Sequence, residues 1–352
     1  MKPRLLELIA CPECKKDLHL EVFSRNDDES IIDGMLTCSG CNNRYPIIDA
    51  IPRLLPHVLQ NNLILYHKKF FEKYHVEPPL NPDLLNGREI ALKEKTLRSF
   101  SYQWNTFGEI YGEYREHWRD FLPTTLKSDY FKGKLGLDAG CGFGRHIRMA
   151  AEAGAEMVGF DLSEAVRAAH TNTQHLKNVH IVQGDIYNAP FRAGTFDFIY
   201  SIGVLHHLPD PESGFESLSR LLAEHQEIFI WCYDDAKPHK NAAYEIVRKW
   251  STRLSFKSLY VLTFLAARGI NLIFNYPAIL LRNLGVGLKK VPYDYYCKYP
   301  ARVLHADLFD VFSVPSTRYY DLYELENWFV KQQLRIFESR HSVSGWTLHG
   351  AR

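Results

Sequence analysis

The sequence predicts an α/β protein with a Rossmann-like parallel sheet, a cysteine-rich ribbon ahead of it and a helical insert after its fifth strand. Three observations carry that expectation. Four of the seven cysteines lie in the first 41 residues as two C-x2-C pairs. Asp138, Asp161 and Asp185 close three successive apolar runs, one βα unit apart. A stretch at about residues 235–314 then separates the fifth run from the last helix, far longer than an ordinary connection.

A chain of 352 residues corresponds to about two domains. Lys and Arg number 42 against 41 Asp and Glu, and the formal charge of +1 argues against a histone-like or ribosomal protein and an acidic tail. With 46% hydrophobic and 24% charged residues, the chain can bury a sizeable core. The first ten residues, interrupted by Glu7, do not read as a secretory signal. No run of about 18 uncharged apolar residues marks a transmembrane helix. The expectation is a cytoplasmic protein without a transmembrane segment.

The cysteines come first. Cys11-Pro-Glu-Cys14 and Cys38-Ser-Gly-Cys41 each aim two thiolates at one point, and two such knuckles supply the four soft ligands of tetrahedral zinc. Disulfides would require an oxidising compartment, and a redox C-x-x-C does not explain why the motif occurs twice. Leu18–Phe23 and Gly34–Thr37 read as short ribbon strands. With four protein ligands and no open position, this zinc is expected to be structural. Together with Tyr45-Pro-Ile-Ile-Asp-Ala-Ile-Pro-Arg-Leu-Leu55, the knuckles resemble the small zinc-ribbon proteins that partner and activate tRNA, rRNA and release-factor methyltransferases, over about residues 4–56. The resemblance implies an accessory role for residues 1–56.

Residues 57–125 read as a linker and an aromatic, helical lead-in, with a turn-like Glu77–Asp83. Lys134–Gly144 then opens a strand–loop–helix unit in residues 126–234. Its apolar run ends at Asp138, Gly140, Gly142 and Gly144 permit a tight turn, and Arg145–Glu152 continues as a helix. A carboxylate before the first glycine would repel a pyrophosphate, yet it suits the cationic amino-acid end of S-adenosylmethionine. Asp161, ending the strand Met157–Asp161, can accept from ribose hydroxyls. Asp185, ending Val179–Asp185, can accept from an adenine amino group while Ile186 packs on the ring. The C-terminal edge of successive parallel strands is where an open α/β sheet binds ligands.

A fourth strand, Phe196–Ser201, leads to His206 and His207; a helix bearing Phe215 and Leu218 follows, then a fifth strand, Glu227–Asp234. Asp321-Leu-Tyr-Glu324 forms a capping box for a helix to about Gln333. Leu334–Glu338 and Gly345–His349 close the chain in residues 315–352.

As a set, Leu137-Asp-Ala-Gly-Cys-Gly-Phe-Gly144, Gly159-Phe-Asp-Leu-Ser163, Gly184-Asp185, Phe196-Asp197 and Val204-Leu-His-His-Leu-Pro209 resemble the class I S-adenosylmethionine-dependent methyltransferases, of the ubiquinone/menaquinone-biosynthesis type. The resemblance implies a seven-stranded sheet with its last strand antiparallel. It implies donor contacts from Trp104, Asp138, Gly140, Cys141, Gly142, Gly144, Asp161, Leu162, Asp185, Ile186 and Ser201, with Phe100–Phe107 folding over the donor. The chain departs from the family at Ala223-Glu-His-Gln-Glu227, where a Pro-Gly-Gly turn is usual.

Methyl transfer further needs a base for the acceptor proton, and His206 and His207 are the candidates. Neither an Asn-Pro-Pro-Tyr signature nor a Pro-Cys pair follows strand four, which weakens a nucleic-acid base as acceptor. A hydroxyl or amine of a small-molecule, glycan or lipid-linked acceptor fits better. An RNA or protein methyltransferase is the runner-up, and a non-catalytic scaffold for another methyltransferase is the third reading. Residues 237–302 hold twelve Lys and Arg against Glu245 and Asp294, so the rest of the chain is acidic. Within the insert, the apolar runs Leu259–Ala267 and Ile270–Leu281 are broken by Arg268, Gly269 and Pro277. This insert is expected to be a basic lid that binds an anionic or lipid-linked acceptor, or rests peripherally on a membrane. Asp307, Asp310, Arg318 and Tyr319 are expected to line the acceptor pocket.

Overall fold

The computed structural model describes residues 1–78, 88–235, 242–288, 291–314 and 317–352. The cysteine-rich segment forms a short helix α1 (Leu5–Leu8) and an antiparallel meander of β1 (Leu18–Arg25), β2 (Ile31–Cys38), β3 (Arg44–Ile48) and β4 (Ile51–Leu54). Three helices follow: α2 (Asn61–Tyr74), α3 (Arg88–Thr106) and α4 (Tyr114–Phe121). Most of the expected turn at 77–83, from residue 79 onward, lies outside the described residues.

The central unit alternates as expected: β5 (Leu135–Ala139), α5 (Arg145–Glu152), β6 (Glu156–Asp161), α6 (Ala165–Thr173), β7 (Val179–Gly184), β8 (Phe196–Ile202), α7 (Pro211–Ser219) and β9 (Leu222–Tyr233). Its strands are apolar runs because both faces of a parallel sheet are covered. Leu137, Val158, Val182 and Ile199 fill one core layer, and Met157, Ile181, Phe198 and Phe229 the other. The insert carries α8 (Ala242–Ser251), α9 (Phe256–Ile270), α10 (Tyr276–Asn283) and α11 (Ala301–Ser313). The chain ends with α12 (Leu322–Lys331), β10 (Arg335–Ser342) and β11 (Gly345–Ala351). Asp321 and Glu324 form the expected capping box.

Seven strands lie in the order β7-β6-β5-β8-β9-β11-β10, with β11 antiparallel to both neighbours. The sheet does not stop there, and the expected seven strands become eleven. Strand β4 pairs in parallel with the edge strand β7, Arg53 opposite Gln183 and Leu54 opposite Gly184, so the ribbon continues the sheet. An uncovered β7 edge would leave backbone groups unpaired, and the ribbon satisfies them.

Two further features differ from expectation. The fifth strand begins at Leu222 rather than Glu227, because the segment lacking the Pro-Gly-Gly turn is absorbed into β9. The irregularity appears as a register shift opposite Phe196–Phe198, with His225 at positive φ. The two apolar runs of the insert are likewise not separate. A π-helical turn at Asn271–Asn275 joins α9 to α10, and Pro277 falls in the first turn of α10, where its missing N–H costs nothing. The result is one helix, Phe256–Asn283, long and apolar enough by length and composition to cross a membrane. That corrects the expectation drawn from broken runs.

Ribbon and sheet share a buried ion pair. Arg53 Nη1 lies 3.1 Å from both oxygens of Glu164 and 2.9 Å from Gln183 Oε1, and His67 Nε2 lies 3.0 Å from Glu164 Oε1. Arg53 and Glu164 are almost fully sealed from water. Burial opposes ionisation of Glu164, but Arg53 and His67 outweigh it and hold the carboxyl down to about 2. Removing one partner of such a pair costs about 3–5 kcal/mol. The Arg53→Met variant is therefore expected to lose stability of that order in denaturant unfolding near neutral pH. The pair's contribution is present above the unfolded glutamate value and lost as pH falls through about 2. The difference between wild type and variant should accordingly shrink in acid.

Candidate active site

A cavity of about 720 Å³ opens at the C-terminal edge of β5, β6, β7 and β8. Each strand ends by delivering part of its wall. The loop after β5 is a glycine turn: Gly140, Gly142 and Gly144 all have positive φ, and a Cβ on Gly140 would meet the Val204 side chain at 2.4 Å. Opposite it, α3 lays Phe100 and Trp104 across the opening, and Trp104 stacks on Phe143 with centroids 4.8 Å apart.

Asp138, Asp161 and Asp185 all line this cavity, each held differently. Burial pushes Asp138 up to about 8, and its Oδ2 has no hydrogen-bond partner among the described residues. Asp161 accepts from the Gly142 N–H at 3.0 Å and from the N–H and hydroxyl of Ser163 at 2.8 and 2.7 Å. Burial still raises it, against those bonds. Asp185 accepts from the Tyr187 N–H, and its other oxygen lies 3.1 Å from the Lys93 ammonium, which α3 brings over the Tyr187 ring.

Trp104, Gly140, Cys141, Gly142, Leu162 and Ile186 join these carboxylates on the wall. Three expected residues do not. Gly144 is the N-cap of α5, where its missing side chain admits the Ala169 backbone of α6. Ser201 is fully buried and donates to the Ala139 carbonyl at 2.9 Å, tying β8 to β5. His206 is also fully buried, its ring 4.2 Å from the Tyr233 ring, with neither nitrogen hydrogen-bonded among the described residues. Burial drives its pKa well below the ordinary value and keeps it neutral. It packs beneath the site, contrary to the expectation that both histidines face the mouth. His207 does line the cavity, with Nδ1 3.3 Å from the Thr317 hydroxyl.

The far wall comes from the insert and its return. Asp307, Asp310 and Tyr319 line the cavity, whereas Arg318 is exposed and donates to the Pro209 carbonyl. Tyr296 lies 2.9 Å from an Asp307 oxygen. Burial raises Asp307; burial and the neighbouring Asp307 charge push Asp310 up to about 7. The wall thus holds Asp120, Asp138, Asp161, Asp185, Asp307 and Asp310 against Arg145 and Lys298. An acid-rich wall does not suit an anionic acceptor group, contrary to what the insert's composition suggests. Lys237, Lys240, Lys289 and Lys290, which contribute to that basic count, lie outside the described residues.

Several wall residues escaped sequence reasoning: Arg145, Tyr233, Tyr295, Tyr296, Lys298 and Thr317. Position alone could have flagged Arg145, directly after the glycine turn, and Tyr233, at the end of a strand on the ligand edge.

At the other end of the protein, the Sγ atoms of Cys11, Cys14, Cys38 and Cys41 all lie within 4.8 Å of one another. Cys11 and Cys41 are 3.7 Å apart, close to the edge of about 3.8 Å for a tetrahedron with zinc–sulfur bonds of about 2.3 Å. The shortest separation, 3.3 Å, exceeds any disulfide bond. Gly40 and Cys41 direct backbone N–H groups at Cys38 Sγ; against the burial that raises it, they help hold that thiol down to about 6. The four sulfurs fit structural zinc.

Residues 137–230 match the family described as a methyltransferase domain, and residues 2–49 match Trm112p-like protein. The chain carries a methyltransferase domain. Among similar curated proteins are a tRNA U34 carboxymethyltransferase of Psychromonas ingrahamii, 33% identical over 34% of this chain and 37% of that protein. A ubiquinone biosynthesis O-methyltransferase of Acinetobacter baumannii is 30% identical over 43% of this chain and 63% of that protein. The chain therefore spans less than two thirds of either relative. A solved complex between the Haloferax volcanii Trm112 methyltransferase activator and a candidate methyltransferase superposes on 72% of this chain and 96% of that one, at 12% identity and a TM-score of 0.46. The wall of the methyltransferase domain fits S-adenosylmethionine: the unpartnered Asp138 oxygen suits an ammonium, and Asp161 and Asp185 suit a nucleoside.

Two outcomes follow. Cys38→Ser should lose most of the bound zinc measured by atomic absorption and lower the melting temperature, because the ribbon is too small to fold without it. Donor affinity measured by calorimetry should rise between pH 6 and pH 8, as Asp138 loses the proton it holds up to about 8. Asp138→Asn should bind at least about tenfold more weakly, with that rise flattened.

Proposed function

We propose that the protein transfers a methyl group from S-adenosylmethionine to a hydroxyl or amine of a small-molecule, glycan or lipid-linked acceptor. The observation that supports this best is the convergence of three strand-end carboxylates and an acceptor-side wall of Asp307, Asp310 and Tyr319 on one cavity. S-adenosylmethionine would supply an electrophilic methyl group there. The chain's own residues would do the rest. Asp138 would pair with the ammonium of the donor, and Asp161 would accept from its ribose. An adenine amino group at Asp185 would take the place now held by Lys93.

Transfer from a sulfonium is an in-line displacement, so its acceleration comes from holding the acceptor atom against the methyl group. Phe100 and Trp104 would exclude water, and Asp307 and Asp310 would accept from the acceptor hydroxyl or amine and orient it. His207, the histidine that reaches the wall beside Thr317, would take its proton. A cytoplasmic location is part of the same reading. RNA remains the second acceptor class, because the Trm112p-like segment and the tRNA U34 carboxymethyltransferase likeness both favour it.

The deciding experiment incubates the protein with methyl-labelled donor and a fractionated cell extract. Label is expected in the small-molecule or lipid fraction. Label in RNA, with tight salt-sensitive filter binding, would replace this reading by the second. No donor binding at high micromolar concentration would remove both and leave the scaffold reading. With the acceptor in hand, His207→Gln should lower kcat by about 10²-fold or more. It should leave donor affinity within about twofold, since the imidazole is assigned to the acceptor.

A further inference from the structure

The long helix Phe256–Asn283 is built inside out. Its buried positions are Leu259, Thr263, Ala267, Asn271, Asn275 and Ala278, a stripe repeating roughly every fourth residue that is small or polar for the most part. Within that stripe Asn275 donates to Asn271 Oδ1 at 2.7 Å, and Thr263 lies 3.2 Å from His305 of α11. The exposed positions carry the large apolar side chains instead: Leu262, Leu265, Leu272, Ile273, Leu280 and Leu284, with Leu272 and Ile273 about two-thirds exposed. An amphipathic helix on a water-soluble protein does the reverse, turning its leucines inward. Only 22% of the helix's most apolar 18-residue window is buried.

Cations flank this face. Lys257 and Arg268 on the helix, and Lys249 and Arg253 before it, are all exposed, and Trp250 stands out from α8 at 58% exposure. Basic and aromatic residues beside an apolar face suit the headgroup region of an anionic bilayer. A second copy of the chain suits it less, since a two-fold contact on this face would bring the same cationic flank towards itself. The small-and-polar stripe packs on α11, so the helix has one face on protein and one outward along about 42 Å. That arrangement places it in the plane of a membrane surface rather than across it.

We propose that helix 256–283 is an interfacial anchor that seats the protein on an anionic membrane. The anchor is independent of the methyl-transfer reading, because it concerns a face of the protein and not the cavity.

The test is cosedimentation of the full chain with vesicles of phosphatidylcholine alone, or mixed with phosphatidylglycerol in equal parts. Binding is expected to the mixed vesicles and to weaken strongly at about 0.5 M salt. The double variant Leu272→Glu/Ile273→Glu should bind them at least about tenfold more weakly. Its donor affinity should match wild type, which shows the fold intact. The charge variant Lys257→Glu/Arg268→Glu should lose the preference for anionic vesicles. Wild-type protein that stays in the supernatant with both vesicles overturns the proposal. So does a stable dimer that the leucine–isoleucine variant dissociates while vesicle binding is unchanged.

Discussion

Glu164 is the contact on which the architecture turns. Its carboxylate meets Arg53 of β4, His67 of α2 and Gln183 of β7, each from a different part of the chain. Its backbone does as much: the N–H donates to Ser101 of α3, and the carbonyl accepts from Asn105. Five elements thus meet at one residue in a place without water, where an unpaired charge would be severely unfavourable. The pairing makes the ribbon part of the sheet. Had Arg53 been leucine, β4 could still pair with β7, but nothing would hold it at the register that sets Arg53 opposite Gln183.

The same residue lies three positions beyond Asp161, and Gln183 lies two before Asp185. Gln183 also donates to the Leu162 carbonyl at 3.0 Å. The loops that present two of the three cavity carboxylates are therefore braced from behind by the ribbon. The zinc-binding segment and the ligand edge share a mechanical foundation, though the nearest cysteine is far from the cavity in sequence. Burial disfavours the charge on Asp138 and Asp161 at the same edge, and rigid bracing keeps them buried until a cation or hydroxyl partner can compensate.

What could be read in the sequence was what repeats locally. Asp138, Asp161 and Asp185 were legible because each ends a strand of similar length in a repeating unit, and the C-x2-C knuckles because metal geometry dictates spacing. Pairings between distant segments were not legible. Arg53 and Glu164 are separated by 111 residues and neither belongs to a motif. Neighbouring side chains were also beyond reach: His206 and His207 sit in one tight turn, where one step in sequence sends one ring into the core and the other to the cavity. Ser201 likewise points between strands rather than out of their end. The insert's helix was misread because Arg268, Gly269 and Pro277 look like interruptions, and a π turn absorbs the proline without breaking the rod.

An insertion of this length is tolerated because of where it leaves the sheet. The chain departs after β9 and returns at Tyr320, whose N–H donates to the Tyr233 carbonyl at 3.0 Å while Asp235 donates back to Tyr320 at 3.1 Å. The two ends are thereby stapled one hydrogen-bond rung apart, and the loop between them imposes an entropic cost that grows only slowly with length. That staple lies at the ligand edge, so whatever the insert folds into must form a wall of the cavity. Helix α11 does so with two faces: Asp307 and Asp310 reach the cavity, while His305 packs against Tyr260 and Thr263 of the long helix. One helix thus separates an acid-lined chamber from an apolar outer face. An acceptor with a polar head and an apolar tail would meet both chemistries within the thickness of that single helix.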